Sequence, residues 1–307
     1  MEIDNPKNSF TLFEIGEKLD YLVNLYEQNS LPKVLMLSGE KGIGKFTLIN
    51  HLMSYIFDKE NYDLNKKRIN QNSVYYKDYL NDLFFNIIYL SGEDFKKSKI
   101  DNIRELKSLI LKSNLSNKER FIILDDIELF NLNSINALLK LIEEPKSKDH
   151  FIIINNKTKS LIDTISSRAL EIKIFLNNKK KINVIESLIK NYEINTLIDF
   201  RISNISPGNF FSFNQIAAEN EINIEDNFLK NFEKLLILYK KTKNFKIINF
   251  ILYLTDIYFL KLNLENKQFE KNIDDKRFII NNINNFISFN LNQTSLLNNI
   301  NDRIANE

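Results

Sequence analysis

The stretch GEKGIGKFT, Gly39–Thr47, decides how this sequence folds. Three of the chain's six glycines fall within it, directly after the apolar run VLMLS (34–38) and before a helical pattern. A phosphate-binding loop needs two glycines separated by four residues, then Lys, then Ser or Thr. Gly39, Gly44 and Lys45 satisfy that spacing, and Gly42 adds a third flexible position. Glycines let backbone N–H groups curl around phosphate oxygens, the helix N-terminus adds partial positive charge, and Lys45 would neutralise terminal phosphates. The next position should offer a hydroxyl to Mg²⁺, but it holds Phe46. Thr47 comes one residue late, about 100° around the helix. Loop geometry is expected, without the metal ligand.

Further apolar runs of strand length follow at NIIYL (86–90), FIILDD (121–126), FIIIN (151–155) and LEIKI (170–174), alternating with helical patterns. Such alternation predicts βαβ units around a parallel sheet. Beyond these runs helical spacing takes over. Phe228, Phe232, Leu235 and Tyr239 share one helix face, as do Ile279, Ile283 and Phe286. Ser206-Pro207-Gly208 interrupts a helical stretch at 176–222, and the Asn/Lys-rich segment Tyr62–Asn72 suggests a surface insertion or linker.

The run ending in Asp125-Asp126 suits a second role. In a doubly wound sheet that strand end lies near the phosphate loop, where one carboxylate holds Mg²⁺ through water and another polarises the attacking water. Asp126 is one methylene shorter than a Glu in that second role. Paired acids at a strand end also serve as ordinary caps or turns, so only their coupling with Gly39–Lys45 favours the functional alternative.

Composition narrows the classes. Charged residues at 27% and apolar residues at 43% suit a folded globular chain, and 307 residues suit two or three modest domains. A net charge of +2 gives no strong field for drawing the whole molecule onto nucleic acid. Zero cysteines exclude disulfides, thiol catalysis and cysteine-ligated zinc, and His51 and His150 are too few for a histidine-rich metal site. MEIDNPKNSF lacks the features of a signal peptide, and the most apolar run, near Phe250–Leu260, is broken by Thr255 and Asp256. The cytoplasm is the expected location.

The segment NALLKLIEEP (136–145) resembles the helix and Glu-Glu-Pro ending of bacterial DNA polymerase III clamp-loader subunits, the delta-prime and gamma/tau members of the AAA+ family. Ser166-Ser167-Arg168-Ala169 resembles the same family's Ser-Arg-Cys motif, with Ala169 in place of the cysteine. Asn156 falls where the family's sensor-1 polar residue sits, and the resemblance extends by pattern over roughly residues 10–220, including IDNIREL (100–106). It implies an α/β AAA+ core with a P-loop at 1–175, a small helical lid at 176–222 and an all-α C-terminal collar at 223–307. It also implies that Arg168 acts in trans, reaching across a subunit boundary to a neighbour's ATP. A guanidinium suits that task because it spreads positive charge over the γ-phosphate oxygens as the bond breaks; alone, a rim arginine more often makes a local salt bridge.

Departures from the family pattern cluster at the nucleotide site. Phe46 replaces the hydroxyl, Asp126 the Glu, Asn209 the sensor-2 arginine after Ser206-Pro207-Gly208, and the motor subunit's zinc cysteines are missing. The resemblance therefore implies a delta-prime-type subunit, architectural rather than a motor. Its implied partners are the gamma/tau ATPase and delta subunits in a hetero-pentamer, and through them the sliding clamp and primer-template DNA, with no membrane. The expectation is a component of the polymerase holoenzyme with no polymerase activity and no competent ATPase of its own. It requires no cofactor and holds no zinc; Mg²⁺ binding is in question, and residual ATP or ADP binding at Gly39–Lys45 is left open. Two alternatives stay open as well: a divergent gamma/tau-like motor or stand-alone P-loop nucleoside triphosphatase, and a DNA-binding protein using Lys96, Lys97 and Lys99.

Overall fold

The computed structural model describes residues 6–81, 83–92, 118–265 and 268–305. The IDNIREL segment and Lys96, Lys97 and Lys99 lie outside the described residues. Contacts divide the chain into two units, one of Met1–Ser187 with Ser206–Gly208, the other of Leu188–Ile205 with Asn209–Glu307.

The first unit is organised by five parallel strands: β1 (Val34–Ser38), β2 (Ile87–Ser91), β3 (Arg120–Asp125), β4 (Asp149–Asn155) and β5 (Leu170–Lys173). Their order across the sheet is β2-β3-β4-β1-β5. Each begins and ends within two residues of the run expected from sequence. β1 and β4 are buried throughout and β3 is buried up to Asp125, whereas β2 and β5 at the edges are partly or largely exposed. That gradient is what a parallel sheet covered on both faces requires of its central strands.

Helices in this unit include α1 (Gly16–Glu27), α2 (Lys45–Phe57), α3 (Val74–Leu80), α4 (Leu132–Glu143) and the single turn α5 (Asp163–Ser166). Asn131 starts α4 by accepting from the Ser134 N–H at 2.9 Å, satisfying a donor that the first helical turn leaves open. Pro145 stops it, because the residue before a proline is driven out of helical geometry; Glu144 has already left that geometry at φ −126°, ψ 68°. Leu138 and Ile142 of α4 and Ile165 of α5 enter one core with Val34, Ile122, Phe151 and Ile153.

Tyr62–Asn72 lies at the surface along most of its length, as expected, but it is anchored at two points. Asp63 and Arg68 form an antiparallel bridge, Tyr62 and Ile69 are buried, and the Tyr62 hydroxyl lies 2.8 Å from Nδ1 of the buried His51. Polar composition around two anchoring side chains concealed their burial.

Two further helices, α6 (Asn178–Tyr192) and α7 (Pro207–Glu219), pass from the first unit into the second. The second unit continues with α8 (Phe228–Thr242), α9 (Phe245–Glu265), α10 (Phe269–Phe289) and α11 (Gln293–Ala305). Phe232, Leu235 and Tyr239, and separately Ile279, Ile283 and Phe286, are buried as their spacing predicts. α9 is long and apolar enough to cross a membrane by length and composition alone. Here it packs against both α8 and α10, burying Ile247, Phe250, Leu254 and Phe259, while Asp256 pairs with Lys276. Those contacts make it the central helix of a bundle. Phe250 and Phe259 thus belong to the unit's own core, and the half-buried Tyr253 lies 3.1 Å from Ser203 through its hydroxyl.

Candidate phosphate-loop site

The site lies at the C-terminal ends of β1, β3 and β4. Gly39 leaves β1 at φ 155° and donates to the Asn155 carbonyl at 3.1 Å, so the loop starts pinned to the neighbouring strand. Gly44, at φ 91°, occupies left-handed backbone that side chains disfavour and starts α2, whose first residue is Lys45. Lys45 is buried. Its Nζ donates to the loop's own carbonyls, Gly39 at 2.8 Å and Glu40 at 2.6 Å. Burial lowers its pKa to about 8, opposed by the charges of Asp125, Glu128, Asp126 and Glu40.

A second contact closes the loop from α7. The Gly208 N–H donates to the Gly42 carbonyl at 2.8 Å, and a Cβ at Gly208 would meet the Gly42 Cα at 2.8 Å. Only glycine permits so close a backbone approach. Asn209 follows, half-buried in the first turn of α7.

Asp125 and Asp126 have different surroundings. Asp126 adopts φ 51°, ψ 45°, is buried, and accepts from Lys41 at 3.0 Å and from Asn156 Nδ2 at 2.6 Å. Glu128 accepts from the Asn156 N–H at 3.1 Å and the Thr158 hydroxyl at 2.9 Å, bracing the segment that carries Asn156. Asp125 is covered differently. The Tyr89 hydroxyl donates to it at 3.0 Å, and the Tyr89 ring meets the Phe46 ring edge-on, centroids 4.9 Å apart. Burial first, then the Asp126 charge, raises the Asp125 pKa to about 6. Phe46 is buried and Thr47 half-buried.

The structure therefore brings Gly39, Gly42, Gly44, Lys45, Asp125, Asp126 and Asn156 to one end of the sheet. Lys41, Tyr89 and Glu128 join them unanticipated. Lys41 lies inside the loop pattern and Glu128 two residues past the acidic pair, but their roles depend on partners distant in sequence.

Arg168 is elsewhere. It precedes β5, whose Leu170 is in register with Leu35, so it sits level with the start of β1 while the loop follows its end. At about 3.3 Å per residue the separation along the sheet is roughly 20 Å, beyond the reach of an arginine side chain. Its Nη1 donates to the Thr164 carbonyl at 2.7 Å and its Nη2 pairs with Glu143 at 2.7 Å.

Sheet order, the loop after β1 and the helical C-terminal region define an AAA+ α/β core followed by helices. Residues 16–178 match the family described as DNA polymerase III, delta subunit. The chain belongs to that family, the delta-prime and gamma subunits of the DNA polymerase III clamp loader. It is 26% identical over 147 residues to the subunit gamma of Buchnera aphidicola from Acyrthosiphon pisum, covering 48% of this chain and 39% of that protein. To the Buchnera aphidicola delta' from Schizaphis graminum it is 29% identical over 35% of this chain and 33% of that protein. The chain thus spans well under half the length of these relatives. To the Bacillus subtilis delta' it is 24% identical over 225 residues, 71% of this chain and 62% of that protein. A solved gamma subunit-related protein from Thermotoga maritima superposes with a TM-score of 0.44 at 15% identity, covering 92% of this chain and 96% of that one.

Proposed function

We propose that this chain is a delta-prime-type architectural subunit of the clamp loader. It closes the loader ring in the cytoplasm, does not hydrolyse ATP by itself, and supplies Arg168 to a neighbouring ATPase subunit. Its partners are gamma/tau and delta subunits in a hetero-pentamer that places the sliding clamp on primed DNA.

The observation that carries this reading is the Phe46–Tyr89–Asp125 contact. The hydroxyl that would ligate Mg²⁺ is replaced by an aromatic ring, and the carboxylate that would hold the ion through water accepts from a tyrosine. Phe46 offers no oxygen, so the residues present do not fit an Mg²⁺–ATP site, and no catalytic step is assigned to it. Arg168 supports the second half of the proposal, being too far from its own phosphate loop to serve it. Beyond its ion pair with Glu143, its cation is available to stabilise charge on another molecule.

Reconstituting the complex with Arg168→Ala tests the proposal. Assembly should persist while ATPase falls severalfold; unchanged ATPase would sink the arginine assignment. The glycine geometry and Lys45 favour one rival, a self-sufficient nucleoside triphosphatase. Turnover by the isolated chain that disappears with Lys45→Ala would establish that rival instead.

A further inference from the structure

Arg168 is tethered rather than free. Nη1 donates to the Thr164 carbonyl at 2.7 Å and, at 3.3 Å, to the Ser167 hydroxyl, while Nη2 forms an ion pair with Glu143 Oε1 at 2.7 Å. N–H donors on Nε and Nη2 remain for another acceptor. The side chain is 36% exposed, so the tether acts at the surface, where a long arginine would otherwise sample many rotamers.

Both ends of the tether rest on the same core. Ile142, the neighbour of Glu143, and Ile165, three residues before Arg168, are buried in one cluster, and Ala169 packs against it. Backbone positions on both sides are therefore fixed independently of the ion pair. Helix stability does not explain the placement, since a carboxylate in the last turn of a helix opposes the helix dipole. Glu144, next in sequence and also exposed, makes no ion pair with Arg168.

We infer that Glu143 is a positioning residue for Arg168, holding the guanidinium by its ion pair, with the Thr164 carbonyl, in the pose that presents its remaining N–H donors to an anionic phosphate on a neighbouring subunit. This rests on the proposed role of Arg168 in trans. The carboxylate restricts the arginine to one orientation without covering it. The positioned cation reaches its acceptor without a search among rotamers, which is the advantage of pre-orientation in catalysis.

The test is ATP turnover by the reconstituted complex containing wild-type chain, Glu143→Ala, Glu143→Gln or Arg168→Ala, with thermal melting of each isolated chain. Glu143→Ala should lower kcat by about threefold and leave KM for ATP unchanged, as expected when orientation rather than binding is lost. Glu143→Gln keeps the reach and an acceptor oxygen, and should recover most of the turnover. Normal kcat for Glu143→Ala alongside a reduced kcat for Arg168→Ala overturns the positioning role alone. A lowered melting temperature with no recovery by Gln also overturns it, assigning Glu143 to stability. Normal kcat for Arg168→Ala removes the underlying arginine reading as well.

Discussion

The ring of Phe46 stands edge-on to the ring of Tyr89, and the Tyr89 hydroxyl ends the line by donating to Asp125. Three side chains from α2, β2 and β3 thereby form an apolar-to-polar relay across the end of the sheet. Edge-to-face rings add about 0.5–1.5 kcal/mol beyond the area they bury, so the arrangement has a structural value of its own.

Restoring the hydroxyl should not restore an enzyme. Phe46→Ser deletes a buried ring and should cost about 3–5 kcal/mol, the range for large-to-small core changes. Urea unfolding would read that loss, and ATP turnover by the isolated variant should stay at background; Mg²⁺-dependent turnover would contradict the structural account of Phe46.

Asp125 should make stability depend on pH in an unusual direction. Its folded-state pKa, raised to about 6 from 3.8, means that between those values the folded chain keeps a proton the unfolded chain has released. Stability therefore falls as pH rises through that window and stays lower above it. Asp125→Asn should remove this slope and, above pH 6, exceed wild type by roughly 1–3 kcal/mol, from a shift of about two pKa units. Urea midpoints for both chains at pH 4 and pH 7.5 would show it, and parallel pH curves would rule it out.

Asn156 joins Asp126 to the segment after β4. Asn156→Ala leaves a buried carboxylate oxygen with one partner fewer, which should cost about 1–3 kcal/mol. Lys41→Met removes the other partner of the same carboxylate. The double variant should depart from additivity, since both side chains share Asp126, and strictly additive losses would argue against a shared network.

Gly208→Ala pushes a methyl group into the phosphate loop's backbone. Overpacking of that kind costs about 1–3 kcal/mol. The urea midpoint should drop with the slope unchanged, and a midpoint equal to wild type would mean that the Gly42–Gly208 contact yields without cost.

The strands were legible because each is a short run of mostly apolar residues between polar segments, and the central runs β1, β3 and β4 are buried as a parallel sheet covered on both faces requires. The phosphate loop was legible because its glycines act locally, through backbone angles at Gly39, Gly42 and Gly44. Tyr89 was hidden because its bond to Asp125 depends on β2 lying beside β3, with Ser91 opposite Asp125, a pairing no local pattern encodes. Glu128 was hidden for a similar reason: its acceptors serve Asn156 and Thr158, which reach it only after β4 has joined the sheet. The tie between Glu143 and Arg168 likewise needs two segments that meet only through the core around Ile142 and Ile165.

Strand order also governs how this chain acquires its loop. β1 has no neighbour close in sequence: Val34 lies opposite Phe151, and Leu35 opposite Leu170. Contacts of such high order close slowly, because chain entropy is lost before any pairing repays it. During synthesis the strand carrying Gly39 must wait, apolar and unpaired, until β4 and β5 have emerged. A nascent or truncated chain ending before residue 170 would expose β1 as an adhesive edge, so recombinant fragments stopping there should aggregate where longer ones fold.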